Sequence, residues 1–296
     1  MPSIPESMTE HSFDQCKAYA PQEEGTGFFD DGREIELLHF VYSHPDLENI
    51  RGSPERVLDA IDEYGRTKKY LMNVGEDKGL IICDLIAEIQ PNVMVELGGY
   101  VGYSCIMFGN AVRKAGGSRY FSLEMNPEFA AIAMALVDLA GLSDIVKVVI
   151  GPSDASLARL YSHGQLSHID LLFLDHYKPA YTTDLKLCEE FGLVASGSVL
   201  AADNVIKPGN PPYLEYVRKT VEEKQRDFQD QKSGRDEDDG IPDRSVNQYR
   251  KRYGRIKLNT SPGNPNLVYQ SQLVEGFEPT GVPDGVEITR CVGEER

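Results

Sequence analysis

The chain of 296 residues contains no tryptophan, so any flat aromatic wall must be built from its 15 tyrosines and 11 phenylalanines. Cysteine is scarce. Cys16, Cys83, Cys105, Cys188 and Cys291 are odd in number and widely spaced, with no C-x-x-C. That excludes a disulfide framework and a thiolate zinc site, and it fits reduced thiols in the cytoplasm. No apolar run reaches the roughly 18 residues of a membrane span. Met1–Asp31 lacks the basic start and apolar middle of a secretory signal. Basic residues are also in short supply, 30 Lys and Arg against 47 Asp and Glu, for a net charge of −17. Such a surface repels nucleic acid and anionic membrane alike. No internal repeat is evident. The expectation is a cytoplasmic monomer with a small-molecule partner.

What is present is enough apolar sequence, 41%, to bury one sizeable core. Residues 1–33 read as a flexible arm rich in Pro and Gly. Residues 34–292 read as a single domain. An apolar stripe of Leu37, Leu38, Phe40 and Val41 predicts a first helix from Glu34. A second is predicted from Ser53, with Pro54 in its first turn, and a third over Asp77–Ile89. Strands and helices then alternate. Strands are predicted at Val93–Leu97, Tyr120–Glu124, Val146–Ile150, Ile169–Leu174 and Ser198–Ala202. Helices are predicted at Tyr103–Arg113, Pro127–Leu139 and Tyr181–Phe191. That series implies an α/β fold, a doubly wound and mostly parallel sheet covered on both faces. Residues 221–264 break the pattern and read as a solvated, partly disordered insert, either a passive surface loop or a cover that regulates the substrate entrance. Two further strands are expected at Leu267–Val274 and Val286–Val292.

In such a sheet, ligands bind beyond the carboxyl ends of the strands, so polar residues that stop a strand are site candidates. Glu96-Leu97-Gly98-Gly99-Tyr100 runs from a strand into a glycine turn, and Glu124 ends the next strand. A carboxylate there can accept hydrogen bonds from both ribose hydroxyls. Together they indicate a nucleoside-bearing cofactor and do not choose among such cofactors. A nicotinamide-dependent oxidoreductase uses the same logic. Asp175-His176-Tyr177-Lys178 follows the fourth strand and Asp203-Asn204 the fifth. Two carboxylates and an amide oxygen, from Asp175, Asp203 and Asn204, are hard donors suited to Mg²⁺. A dication lowers the proton affinity of a neighbouring amine, so Lys178 is a candidate general base.

These strings, in this order, resemble the catechol O-methyltransferase family. They are Met72-Asn73-Val74-Gly75 with Lys78-Gly79, VELGGYVGYS at 95–104, LEMNPEFAAI at 123–132, FLDHYK at 173–178, LAADNVIKPG at 200–209 and DGVE at 284–287. The resemblance implies a seven-stranded Rossmann-like S-adenosylmethionine methyltransferase fold with extra N-terminal helices. It implies Mg²⁺-assisted transfer of a methyl group from S-adenosylmethionine to one hydroxyl of a catechol-type molecule. By it, Lys178 takes the proton and Glu287 holds the second hydroxyl. Met72, Val74, Glu96, Gly98, Tyr100, Ser104, Glu124, Met125, Ser153, Asp175, His176 and Tyr177 match cofactor-binding positions. Tyr70, Tyr177, Lys207, Pro208 and Val286 match the substrate pocket.

The chain departs from the family in places. Tyr70 and Tyr177 stand where the family uses tryptophan, which makes the slot more polar. Lys207 replaces an apolar residue and either suits a carboxylated catechol or snorkels to water. Gly99 suggests a looser loop. The altered walls also admit a non-catalytic binding protein that retains the fold.

Overall fold

The computed structural model describes residues 12–22, 29–230 and 241–295, without the side chains of 230 and 243–245. Residues 25–27 of the glycine-rich arm and the acidic run at 236–240 lie outside the described residues. A short 3₁₀ turn at Gln15–Lys17 precedes four helices: α1 (Arg33–Tyr42), α2 (Leu47–Ile50), α3 (Pro54–Thr67) and α4 (Gly75–Ile89). The alternating part follows as β1 (Val93–Leu97), α5 (Tyr103–Lys114), β2 (Arg119–Glu124), α6 (Pro127–Leu139), β3 (Val146–Ile150), α7 (Ser153–Ser162), β4 (Leu171–Leu174), α8 (Ala180–Glu190) and β5 (Val199–Ala202). Then come a π-helical turn at Val205–Gly209, α9 (Pro211–Arg218), α10 (Val221–Asp230), α11 (Asp243–Tyr253), β6 (Leu267–Phe277) and β7 (Pro283–Glu294).

The seven strands form one sheet in the order β3-β2-β1-β4-β5-β7-β6. β1 to β5 are parallel, while β7 runs antiparallel to β5 and forms a hairpin with β6. The two-residue period of a strand splits its side chains between two cores. Met94, Leu171, Phe173, Val199 and Ala201 join the core under α1 to α6. Val95, Leu97, Leu172, Leu174, Leu200 and Ala202 join the core under α7, α8 and α9. Strands buried on both faces explain the near-continuous apolar runs.

Helices α3 and α6 start with ordinary capping chemistry. Ser53 accepts from the Arg56 amide and Pro54 opens α3. Asn126 accepts from the Glu128 and Phe129 amides and Pro127 opens α6. Strand order reverses between β1 and β4, which opens a crevice at their carboxyl ends. No described helix is long and apolar enough to cross a membrane.

Two regions differ from the sequence reading. Residues 12–22 of the arm pack onto the helical layer: the Tyr19 amide donates to Pro279 O and the Ala20 amide to Gly65 O, and Tyr19 is buried. The 221–264 region contains two helices, and Lys224 of α10 is buried with its ammonium over the Tyr269 ring at 4.4 Å. Polar sequence hid both because they are held by hydrogen bonds and rings rather than by an apolar stripe.

Candidate active site

A cavity of about 1150 Å³ opens over the carboxyl ends of the central strands. Backbone links set its floor. Gly98 N donates to Leu123 O, Asp175 N to Leu97 O and Asp203 N to Leu174 O, each at 2.9 Å. The residues that stop β1, β4 and β5 therefore stand side by side. Gly98 has φ +96°, and any Cβ on it would run into the Asp175 backbone. Gly99 is required for a different reason from looseness, because a Cβ there would collide with the Ser122 hydroxyl.

At one end of the cavity, Glu124 ends β2. Its carboxylate accepts from the Tyr100 amide at 2.8 Å and from the Asn126 amide at 2.7 Å. Burial pushes its pKa up to about 7, against the pull of those amides. Asp184 of α8 gathers the opposite rim. It accepts from the Ser153 hydroxyl, lies 3.0 Å from His176 Nε2, and accepts from Asn259 Nδ2 at 2.8 Å. Met72, Val74, Ser104, Met125 and Tyr177 complete this part of the lining.

The other end is dominated by charge. Lys178 Nζ donates to Asp175 Oδ1 at 3.1 Å, Asn204 Oδ1 at 2.8 Å and the Tyr181 hydroxyl at 2.7 Å. Lys78, fully buried on α4, lies 2.7 Å from Asp203 Oδ1, 2.6 Å from Glu278 Oε1 and 2.8 Å from Asp284 Oδ2. Burial works against the Lys78 charge, but its three carboxylates hold the ammonium well above the ordinary lysine range. Burial also raises the Asp175 and Glu278 carboxyls. Asp284 feels the same burial, yet Lys78 and its hydrogen bonds hold it down to about 2. Asn204 donates to Glu278 Oε1 at 2.6 Å and Asp284 Oδ2 at 2.9 Å. That turns its carbonyl oxygen toward Lys178 and Asp175.

The donor set suits a hard dication. Asp175 Oδ1 and Asn204 Oδ1 already share one cationic partner, and Asp203 lies close enough to act on the Asp175 charge. Four carboxylates face two ammonium groups here, a deficit of two positive charges if all are ionised. Among the described residues, no group of three or more His, Cys, Asp and Glu is arranged to hold a metal by itself. The candidate trio is two carboxylates with an amide.

The residues expected to meet the substrate, Tyr70, Tyr177, Lys207 and Pro208, all line the cavity. Three expected site residues do not line it. Glu287 sits in the middle of β7, opposite Ala202, and is fully buried. Its carboxylate accepts from Arg218 Nε and Nη2, both at 2.7 Å, so it closes an ion pair on α9. Glu278, at the β6–β7 turn, brings a carboxylate into the cavity instead. Val286 is fully buried in the core under the N-terminal helices. Glu96 lies beneath the turn, accepting from Ser122 Oγ at 2.5 Å and Cys105 Sγ at 3.2 Å. It can support the glycine turn from below.

Sequence reasoning gave no role to Lys78, Glu278, Phe29, Tyr249 or Tyr253. Lys78 was visible as a lone lysine on the apolar side of α4, next to Gly79. Glu278 was visible as an acid beside the Pro279–Gly281 turn. The rings of Tyr249 and Tyr253 carried no signal, because α11 is polar over most of its surface.

The O-methyltransferase family model matches residues 55–227, more than half of the chain. The chain is 42% identical over 186 residues to the catechol O-methyltransferase of Bos taurus, covering 63% of this chain and 66% of that one. It is 42% identical over 186 residues to catechol O-methyltransferase B of Danio rerio, covering 63% and 68%. The alignment thus spans just under two thirds of the bovine protein. Cofactor-bound Rv0187 from MTB shares the fold at a TM-score of 0.51 and 19% identity, over 89% of this chain and 97% of that one. With the strand order, the glycine turn and the Asp175–Lys178 and Asp203–Asn204 pairs in place, the chain belongs to the O-methyltransferase family, among its catechol O-methyltransferases.

Proposed function

We propose that the chain transfers a methyl group from S-adenosylmethionine to one hydroxyl of a vicinal diphenol, assisted by Mg²⁺ at Asp175, Asp203 and Asn204. One observation carries this reading: Lys178 is held between Asp175 and Asn204, in one cavity with Glu124 and Glu278. Kinship with catechol O-methyltransferases supports it.

The division of labour follows from the residues. Glu124 accepts hydrogen bonds from the ribose of the donor. Gly98 lets the ligand approach the backbone closely. The sulfonium supplies an already activated methyl group; Asp175, Asp203 and Asn204 would hold the dication, which would supply the Lewis acidity that lowers a hydroxyl pKa. Lys178 takes the proton from the attacking hydroxyl at Nζ. Glu278 accepts a hydrogen bond from the neighbouring hydroxyl, the role first expected of Glu287. Tyr70, Tyr177 and Pro208 flank the ring, and holding it in line with the donor removes much of the entropic barrier. Lys207 supports a substrate carrying a carboxylate. The five unbridged cysteines support a reducing, cytoplasmic setting.

Purified chain should methylate a vicinal diphenol, but not the matching monophenol, in the presence of Mg²⁺, with product read by mass spectrometry. Lys178→Ala should lower kcat by about 10²- to 10⁴-fold while S-adenosylhomocysteine still binds. Undiminished turnover in chelator, or in Lys178→Ala, contradicts the mechanism.

A further inference from the structure

The cavity extends beneath a segment that the family match does not include. The matched region ends at residue 227, yet Pro242, Gln248, Tyr249, Tyr253 and residues 256–259 line the cavity. Helix α11 turns Val246, Tyr249 and Tyr253 to one side, at i, i+3 and i+7 spacing. Val246 is buried, whereas Arg250 and Lys251 are exposed. A basic last turn suits the carboxyl end of a helix.

Three anchors fix this segment over the nucleoside side. The Tyr253 hydroxyl accepts from Asn126 Nδ2 at 3.1 Å, and Asn126 is also the residue whose amide binds Glu124. Arg252 donates to Asp30 Oδ2 at 3.0 Å and covers the Phe29 ring at 4.4 Å. Asn259 binds Asp184 on the opposite rim. Between these anchors the Tyr249 ring lies 5.2 Å from Tyr177 and 5.4 Å from Phe29. Burial raises its phenol pKa, and the charges of Glu124 and Asp175 add to the effect.

A second, independent observation points to a ligand. Gln248 lines the cavity, and its Oε1, shielded from solvent in the unliganded chain, has no hydrogen-bond partner. A buried amide oxygen left unpaired costs free energy, so such a group is expected to meet a donor when the site is filled. With the ribose at Glu124 and the reacting methyl near Lys178, the base of the nucleoside falls on the side covered by α11. Its exocyclic amine is a donor of the right kind.

We propose that residues 242–259 form part of the cofactor site, with Tyr249 covering the nucleoside and Gln248 accepting from the exocyclic amine of its purine. This inference rests on the methyltransferase reading above. It adds an adenine-selective contact and an aromatic cover from outside the family-matched region. It also makes α11 the element that must yield for cofactor exchange.

The test is calorimetric titration of the full chain with S-adenosylhomocysteine and with S-inosylhomocysteine, which carries an oxo group in place of the amine. Wild type should prefer the amino base. Gln248→Leu should reduce that preference by about tenfold, and Tyr249→Ala should weaken S-adenosylhomocysteine binding by about tenfold, the scale of one lost buried hydrogen bond or one lost stacking contact. Wild-type binding with unchanged affinity and preference in both variants overturns the inference and leaves the methyltransferase reading intact. No wild-type binding of S-adenosylhomocysteine overturns both. If Tyr249→Ala loses its thermal unfolding transition, the base preference of Gln248→Leu decides alone.

Discussion

At one end of the cavity, Lys78 and Lys178 stand among the carboxylates of Asp175, Asp203, Glu278 and Asp284. At the other, Phe29, Tyr177, Tyr249 and Tyr253 pack ring against ring. The charged end combines Asp175 and Asp203, which stop neighbouring parallel strands and are placed by the sheet register, with Lys178 from the turn after β4, Lys78 from α4, and Glu278 and Asp284 from the β6–β7 hairpin. The aromatic end is gathered from the arm, the β4–α8 turn and α11, and only tertiary packing brings these together. Chemistry that needs fixed donor positions is thus placed on the rigid frame. Phe29, Tyr249 and Tyr253 come from segments outside the alternating strand–helix frame.

The largest effect should come from breaking the charged end at its buried cation. Lys78→Met keeps most of the side-chain length but leaves the buried Asp203 and Asp284 and the partly buried Glu278 without their shared partner. Denaturant unfolding should show a loss of about 3–5 kcal/mol. A loss within about 0.5 kcal/mol would mean that this end is not held by charge.

A smaller and more selective effect distinguishes two glutamates on one hairpin. Glu278→Gln should lower kcat/KM for a diphenol by about 10- to 100-fold with modest loss of stability. Glu287→Gln should lower stability by about 1–2 kcal/mol, discounted for the half-exposed Arg218, and leave turnover near the wild-type rate. Reversal of the two phenotypes would restore the role first expected of Glu287.

That pair shows how far the sequence could be read. Asp175, Lys178, Asp203, Asn204 and Glu124 follow short apolar strands directly, so their place at the carboxyl edge was legible from pattern alone. The acid on the final hairpin was not. Glu278 and Glu287 both flank a turn signal, and only the register of β7 against β5 decides which one faces the cavity. Lys78 was quoted only as part of a motif, because a fully buried ammonium cannot be told from an exposed one without its carboxylates in view. The 221–264 region read as solvent-facing because α11 carries one inward face of isolated aromatics on an otherwise polar helix.

The smallest effect concerns the boundary between the two ends. In the unliganded chain Glu124 titrates near 7, above its ordinary value, because it is buried. The native state therefore binds this proton more tightly than the unfolded chain does. Its burial cost is fully present above about pH 7 and is relieved as pH falls toward the unfolded value. Cofactor binding should run the other way. The ionised carboxylate is the better acceptor for two ribose hydroxyls, so S-adenosylhomocysteine affinity should fall as pH drops below about 7, by at most about tenfold per unit. Glu124→Gln should flatten that profile, and a wild-type profile already flat between pH 5 and 8 would remove Glu124 from the ribose site.

Crystallographic analysis of the full chain with S-adenosylhomocysteine, Mg²⁺ and a tight-binding nitrocatechol tests the shared cavity most directly. The expected result is a metal on Asp175, Asp203 and Asn204, one diphenol oxygen against Lys178 Nζ, the other against Glu278, and the purine beneath α11. A diphenol bound away from Lys178, with that lysine still joined to Asp175 and Asn204 and no metal between them, would contradict the mechanism.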